Sequence, residues 1–195
     1  MTADRLSNDK AALRSRLLAE RRALAAAERS AAAEALAGHA AALVPPGGTV
    51  AAYVSVGAEP GTRPLLAALA ARGVRVLLPV LLSDNDLDWA PYEGEDRLSP
   101  AARGLLEPTG PRLGPDAVLA ADVVLLPGLA VDARGVRLGR GGGSYDRVLA
   151  RLARAGARPL LATLLYPHEL LPAVPAEPHD LPVHAVATPE GVTRF

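Results

Sequence analysis

The 195-residue chain has no cysteine, which excludes two kinds of architecture. Without thiols there is neither a disulfide framework nor a thiolate metal site. Hydrophobic runs are also short: none could cross a bilayer, and the first ten residues lack the apolar core of a signal peptide. We therefore expect a cytoplasmic protein without a membrane partner.

Aromatic side chains are scarce: the chain has one Trp, one Phe and four Tyr. The charges balance, with 21 basic and 21 acidic residues, so no bulk field attracts a polyanion. Nucleic-acid binding needs basic surfaces or stacking platforms, and this composition offers little of either. We expect small-molecule substrates, no nucleic-acid partner and a monomer.

Lysine is nearly absent, since Lys10 is the one lysine among the 21 basic residues. Lys10 either serves a site that needs a compact ammonium group or is an accident of composition. Within a helix predicted from residue 7 onward, Lys10 and Arg14 lie on one face at i, i+4. That face is either a solvated basic surface or an anion clamp.

Glycine, by contrast, is concentrated in one loop. Four glycines occupy five positions from Gly139 to Gly143, after a buried strand predicted at 122–127. A helix follows, with Ser144 predicted as its cap. Backbone N–H groups and the helix dipole bind anions at such a junction, phosphate above all. The sequence therefore predicts a phosphate-binding loop.

Three familiar glycine motifs do not fit this loop. A Walker-type loop requires a lysine that is missing here, and the third glycine of a dinucleotide fingerprint falls at the wrong position. A kinase glycine hairpin requires a second strand where residues 144–155 have a helical pattern. What remains is a backbone nest to which Arg137 and Arg140 add charges suited to phosphate oxygens. Asp146 fits either the helix dipole or Mg²⁺, and Asp132 and Asp180 are further acidic candidates.

The rest of the chain alternates strands and helices. Two helices are predicted within 7–43, the first capped by Ser7 or Asn8 and the second by Ser30. Strands are predicted at 49–55, 74–79 and 159–165, with a helix capped by Thr62 between the first two. Ligands of such parallel sheets bind beyond the carboxyl ends of the strands, where Glu59 lies as either a solvated carboxylate or a ligand contact. Residues 104–115 are predicted as a loop, and the segment 82–115 forms either a flap over the site or a crossover connection.

At this point the sequence matches a known family. The stretch 127–147, PGLAVDARGVRLGRGGGSYDR, strongly resembles the 5-formyltetrahydrofolate cyclo-ligase signature, P-G-x-x-F-D-x-x-G-x-R-L-G-[YR]-G-x-G-[YF]-Y-D-R. Val131 and Ser144 stand where the family has aromatic residues. Further matches follow in chain order, and they are Lys10-x-x-x-Arg14, Tyr53-Val54-Ser55 with Glu59, Leu78-Pro79, Glu107-Pro108 and His179-Asp180.

The resemblance implies a fold and a reaction. The fold is one α/β domain over residues 1–195: a three-layer α/β/α sandwich with a mostly parallel, mixed-edge sheet and an N-terminal helical arm. The reaction is the ATP- and Mg²⁺-dependent cyclisation of 5-formyltetrahydrofolate to 5,10-methenyltetrahydrofolate, with release of ADP and phosphate. The alternatives are a phosphosugar isomerase or CoA-transferase-like enzyme, since similar sheets serve those reactions, and an ATP-binding module without turnover.

The resemblance also implies roles for particular residues. Arg140 and Tyr145 would be catalytic, and Asp146 and Asp180 would bind Mg²⁺. The ATP-binding residues would be Lys10, Arg14, Arg137, Leu138, Gly139, Arg140, Gly141, Gly142, Gly143, Ser144 and Tyr145. The folate-binding residues would be Val54, Glu59, Arg140, Gly141, Gly142, Gly143 and Ser144. Aromatic rings that could hold the pterin are Trp89, Tyr53, Tyr145 and Tyr166.

Overall fold

The computed structural model describes residues 3–177 and 181–195. Its helices are α1 Ala3–Ala23, α2 Ala26–Ala41, α3 Arg63–Ala71 and α4 Ser144–Ala155. Its strands are β1 Thr49–Ala51, β2 Arg75–Leu81, β3 Leu87–Pro91, β4 Leu98–Pro100, β5 Leu106–Pro108, β6 Val123–Leu126, β7 Ala130–Asp132, β8 Arg137–Leu138, β9 Leu160–Leu164, β10 Leu170–Leu171, β11 Ala185–Thr188 and β12 Gly191–Arg194.

One seven-stranded sheet organises these elements, in the order β12-β11-β9-β6-β1-β2-β3. The five inner strands run parallel, and the edge strands β12 and β3 pair antiparallel with their neighbours. The inner strands are short and apolar, as expected for strands covered on both faces. The predicted mostly parallel sheet with mixed edges is confirmed.

Helices cover both faces of this sheet. Since successive side chains of a strand point to opposite faces, Val50 packs beneath α2 and α3, whereas Ala51 packs beneath α4. On the first face α3 buries Leu65 and Leu69, and on the second α4 buries Leu152. Burial of each such leucine contributes roughly 1.5–3 kcal/mol. The α/β/α sandwich predicted from the resemblance is therefore confirmed.

The N-terminal helix α1 packs on a second, smaller sheet and forms the predicted arm. That sheet has the order β10-β7-β8 and continues from the carboxyl ends of β6 and β9. Leu17 is fully buried against Leu129 and Leu138, and Leu13 packs beside them. Arg21 of α1 is also buried, and its charge is paired with the buried carboxylate of Glu169. The arm is thereby placed at the carboxyl edge of the large sheet.

Three predicted helix caps are wrong. Helix α1 begins at Ala3, so Ser7 and Asn8, the predicted caps, both lie inside it. Helix α2 begins four residues before Ser30, because the Glu28 carboxylate accepts the Ala25 N–H at 2.7 Å and thereby satisfies a free donor of the first turn. Helix α4 is preceded by Gly143 as its N-cap residue, and Ser144 is its first helical residue.

The segment predicted as a loop at 104–115 instead contains a strand. Strand β5 pairs antiparallel with β4, so that residues 98–108 form a hairpin, which we call the flap. Proline ends both strands, where the ladder needs no further N–H donor. The sequence pattern concealed the hairpin because each strand has three residues, too few to show an alternation.

Within 3–177 and 181–195, no helix combines the length and the apolar character needed to span a bilayer.

Candidate functional site

A cavity of about 750 Å³ opens at the carboxyl edge of the large sheet. The turn after β1, the end of β2, the glycine loop, α1 and the flap all line it. The predicted site residues among its lining are Lys10, Arg14, Val54, Glu59, Arg137, Leu138, Gly139, Arg140, Gly141, Gly142, Gly143, Ser144, Tyr145 and Asp146. The fold thus brings together every predicted site residue except Asp180, which lies outside the described residues. Their individual roles stay predictions.

The glycine loop has the backbone geometry that requires glycine at two positions. Gly141 and Gly143 have φ of +90° and +77°, in the left-handed region that L-residues with a side chain rarely adopt. Gly143 is the residue directly before α4, so the first N–H groups of that helix lie next to the glycine loop, which lines the cavity. Free N–H groups and the positive end of the helix dipole favour a bound anion.

Helix α1 contributes two cations to this loop. Arg14 donates from Nε to the Gly139 carbonyl at 2.9 Å, and its guanidinium lies against Gly141. Lys10, one helical turn earlier, donates to Glu177 at 2.8 Å and is largely buried. Both side chains line the cavity, which favours the anion-clamp interpretation of this helix face over a solvated surface.

Arg137 joins the loop to its surroundings. Its guanidinium donates to the Pro127 carbonyl at 2.8 Å and to the Asp146 carboxylate at 3.2 Å, and its side chain is 7% exposed. Arg137 therefore connects the end of β6 to the first turn of α4. The cation contributes its charge to the cavity while it also fixes the two ends of the loop.

The acidic candidates divide into two kinds. Asp146 is 70% exposed at the cavity, so its carboxylate has room for a cation beside Arg137. Asp132 is fully buried and accepts hydrogen bonds from Arg134 and from the N–H groups of Val136 and Val174. Asp132 stabilises the turn between β7 and β8 and does not line the cavity. Among the described residues no three acidic or histidine groups cluster tightly enough to hold a metal ion by themselves.

Glu59 lies opposite the glycine loop. Its carboxylate accepts the Val56 N–H at 2.8 Å, which fixes the turn after β1, and an ion pair from Arg140 at 3.1 Å. The Tyr166 hydroxyl lies 3.4 Å from the carbonyl oxygens of Ala58 and Glu59 on the other side of this turn. The carboxylate is thus held in place at the cavity wall.

Two tyrosines line the cavity beside Glu59. Burial raises the pKa of Tyr53 well above its usual value, and the Glu59 charge adds to the effect. Burial also raises the pKa of Tyr145, again with Glu59, while Arg137 opposes the shift. The Tyr145 hydroxyl is buried and has no hydrogen-bond partner among the described residues. Both phenols therefore stay protonated at neutral pH and keep a proton that they can donate.

The other proposed aromatic contacts lie elsewhere. Trp89 is fully buried between the sheet and α4, and Tyr166 is buried behind the Glu59 turn; neither lines the cavity. Val131 is a core residue of β7, so its difference from the family pattern concerns packing. Of the four rings predicted to hold a pterin, only Tyr53 and Tyr145 are in position within the described parts of the chain.

The sequence offered a flap over the site as one alternative for 82–115, but it predicted neither the hairpin nor the apolar lining of the cavity. Arg103, Leu105 and Leu106 of the flap line it, together with Leu87 of β3 and Leu149 of α4. These residues carry no motif and are far apart in the chain, so no local pattern connects them. The Arg103–Gly104 step at the hairpin tip was the one available turn signal.

The fold and the cavity define a class: an α/β protein with a cationic glycine loop opposite a fixed carboxylate, at the carboxyl edge of a parallel sheet. Residues 6–189 match the model of the "5-formyltetrahydrofolate cyclo-ligase family". The chain belongs to this family.

Individual relatives agree with this assignment. A 5-formyltetrahydrofolate cyclo-ligase of Mycolicibacterium smegmatis is 44% identical over 186 residues, covering 93% of this chain and 94% of that protein. One from Escherichia coli strain K12 is 35% identical over 154 residues, covering 75% and 81%. The solution structure of Aquifex aeolicus 5,10-methenyltetrahydrofolate synthetase superposes with a TM-score of 0.79 at 28% identity, covering 95% and 92%.

Proposed function

We propose that this chain, acting as one domain, catalyses the ATP-dependent cyclisation of 5-formyltetrahydrofolate to 5,10-methenyltetrahydrofolate, with release of ADP and phosphate. The observation that carries the proposal is the content of one cavity: the cationic glycine loop, Tyr145 directly after it, and Glu59 with Tyr53, where Glu59 pairs with Arg140 of the loop. Family membership and the names of the relatives support the substrate.

The glycine loop and α1 would bind the ATP phosphates. Backbone N–H groups of the loop and the start of α4 donate to anions, while Lys10, Arg14 and Arg140 supply full positive charges. Phosphoryl transfer requires little covalent help from a protein. It requires positioning and neutralisation of the transferring group, which this set of donors provides.

Glu59 and the two tyrosines would bind the folate. Glu59 accepts hydrogen bonds from pterin N–H groups, and Tyr53 and Tyr145 offer ring faces and hydroxyl donors beside it. The free Tyr145 hydroxyl is well suited to donate to the formyl group or to a phosphate oxygen, because its raised pKa keeps the proton in place.

Asp146 fits the role of an Mg²⁺ ligand. Mg²⁺ usually keeps several waters and takes one or two carboxylates together with substrate phosphates, and an exposed carboxylate at the phosphate loop meets that requirement. The ion would neutralise phosphate charge. Asp180 stays the predicted second ligand.

The chemistry balances with ATP as the only co-substrate. The formyl oxygen attacks the γ-phosphoryl group, and ADP leaves. The folate N10 then attacks the activated formyl carbon, closes the ring and loses its proton, and phosphate leaves with the former formyl oxygen. Holding the formyl oxygen and the γ-phosphate in contact is the main task of the cavity, since orientation alone is worth several kcal/mol.

The test is the absorbance of 5,10-methenyltetrahydrofolate formed from 5-formyltetrahydrofolate, with and without Mg-ATP. We expect formation only with ATP, together with one ADP for each ring closed. Calorimetric titration with Mg-ATP separates the alternatives: binding without turnover indicates a nucleotide-binding module, and no binding indicates an isomerase or transferase-like enzyme. Either result would overturn the proposal.

A further inference from the structure

We propose that Arg103, at the tip of the flap, binds the carboxylate end of the folate substrate and is the residue that recognises its glutamate. The inference rests on the proposed function, since it assigns a part of that substrate. It adds a ligand contact outside the glycine loop and its partners.

The flap is attached so that its tip reaches the cavity. The Glu107 carboxylate of β5 accepts the Leu81 N–H at 2.9 Å, which fixes the base of the hairpin to the end of β2. From there the connection between β4 and β5 brings Arg103 and Leu105 to the cavity rim. A hairpin held at its base presents its tip in a defined place.

The tip is held in a strained conformation. Arg103 has φ +59° and ψ +22°, and its guanidinium donates to the side-chain oxygen of Asn85 at 2.9 Å. Asn85, in the turn between β2 and β3, has φ +67°. Within 3–177 and 181–195 these are the two non-glycine residues with positive φ, and they contact each other. Such conformations cost about 1 kcal/mol each and cluster at ligand sites.

Among the cavity cations in the described parts of the chain, Arg103 and Arg14 make no ion pair with a carboxylate, and Arg14 is bound to the Gly139 carbonyl of the glycine loop. Lys10 pairs with Glu177, Arg137 with Asp146 and Arg140 with Glu59. Arg103 has a neutral amide as its partner and makes no ion pair with a carboxylate in the described parts of the chain. A cation at the rim of a cavity, oriented by a neutral group, is available for an anionic ligand group.

The surroundings of Arg103 indicate which anion it binds. The cavity that Arg103 lines is also lined by the apolar side chains of Leu81 of β2, Leu87 of β3, Leu105 of the flap and Leu149 of α4. The flap is attached to β2, which lies on the opposite side of β1 from β6 in the sheet order. A ligand with a polar head at Glu59, an apolar middle and a carboxylate tail matches these surfaces.

Reduced folate has that distribution of chemistry: a pterin, then an aminobenzoyl ring, then a glutamate with two carboxylates. With the pterin at Glu59, the ring contacts the leucines and the glutamate reaches Arg103. A nucleotide base would instead present no anion at the flap. The inference is therefore specific for the folate and not for ATP.

The experiment compares two substrates in wild-type protein and in Arg103→Gly. Glycine removes the cation and also favours the positive φ, so the variant should fold at least as well as wild type. The substrates are 5-formyltetrahydrofolate and 5-formyltetrahydropteroate, which lacks the glutamate. We expect the KM for 5-formyltetrahydrofolate to be about three- to tenfold higher in the variant than in wild type, and the KM for ATP to be unchanged. For the pteroate substrate the two proteins should have the same KM.

Arg112→Ala is the matched control, because Arg112 is an exposed arginine near the flap that does not line the cavity. It should leave both KM values unchanged. Arg103→Lys should restore part of the affinity for the glutamate-bearing substrate, more at low than at high ionic strength.

The inference is overturned if Arg103→Gly raises the KM of both substrates equally, or raises the KM for ATP instead. Equal KM values for all proteins on 5-formyltetrahydrofolate would overturn it as well. Failure of the proposed function is a distinct result, since wild-type protein would then turn over neither substrate.

Discussion

Arg140 of the glycine loop and Glu59 of the turn after β1 form an ion pair across the cavity, with Nη1 3.1 Å from Oε1. The arginine side chain is half exposed, whereas that of Glu59 is 11% exposed and also held by the Val56 N–H. In the proposed function, Arg140 faces a phosphate and Glu59 faces a pterin. In that function the pair would mark the boundary between the nucleotide and folate subsites.

Arg140→Ala should reduce turnover by about 100-fold or more. In the proposed function, the substitution removes the positive charge that stabilises the transferring phosphoryl group. Stability should change by less than about 1 kcal/mol, since the arginine of the pair is half exposed and Glu59 keeps the Val56 N–H as a donor. Turnover and urea-induced unfolding measure the two effects. Arg158→Ala, an exposed arginine away from the cavity, is the control. Near-normal turnover of Arg140→Ala would remove Arg140 from the mechanism.

Lys10→Ala should raise the KM for ATP about tenfold or more, because in the proposed function it removes a partly buried ammonium group that would bind phosphate. Arg16→Ala serves as the control on the same helix, since Arg16 is exposed and pairs with Glu20 at i, i+4. Steady-state kinetics at varied ATP would test this prediction. An unchanged KM for ATP would mean that Lys10 does not bind the nucleotide.

The buried pair Arg21–Glu169 should be essential for stability. Arg21 donates to the Glu169 carboxylate at 2.9 Å and to the Gly128 carbonyl at 2.6 Å, and both side chains are almost completely buried. Glu169→Ala leaves a buried cation unpaired, so we expect a loss of about 3–5 kcal/mol in the free energy of unfolding. The double variant Arg21→Met with Glu169→Leu should recover much of that loss. Additive losses in urea unfolding would contradict this account of the pair.

Asp132 should make stability fall in acid. Burial raises its pKa, but the Arg134 side chain and the N–H groups of Arg134, Val174 and Val136 outweigh that effect, and the pKa is lowered. A carboxyl group whose pKa is lower in the folded state stabilises the protein above its unfolded-state pKa of about 3.9. This contribution is lost as the pH falls through the folded-state pKa.

Asp132→Asn removes that titration. Its Tm should therefore fall less steeply than that of wild type below about pH 4, whatever the difference in Tm at neutral pH. Melting curves measured between pH 2.5 and 6 would show it. The exposed Asp96→Asn variant should keep the wild-type slope, and an equal slope for Asp132→Asn would refute the prediction.

Local sequence patterns, such as apolar runs and helical spacing, correctly predicted several strands and helices. The apolar runs at 122–127 and 159–165 became strands β6 and β9, and the helical pattern of residues 144–155 became α4, which ends at Gly156 with φ +67°. An element can be predicted from the sequence when its apolar residues recur with a clear period, because the backbone geometry of a helix or strand sets that period. The helix starts were missed where a Glu side chain or a left-handed glycine replaced the expected serine cap.

The sequence by itself determined the glycine loop, the cations near it and the family, because these reside in one contiguous stretch and in short motifs in chain order. Only the tertiary structure decided that Glu59 faces Arg140, that Trp89 is buried away from the cavity, and that Arg103 completes its far end. Those relationships join residues tens of positions apart through sheet order and hairpin placement. Long-range packing of this kind leaves no periodic trace in the chain.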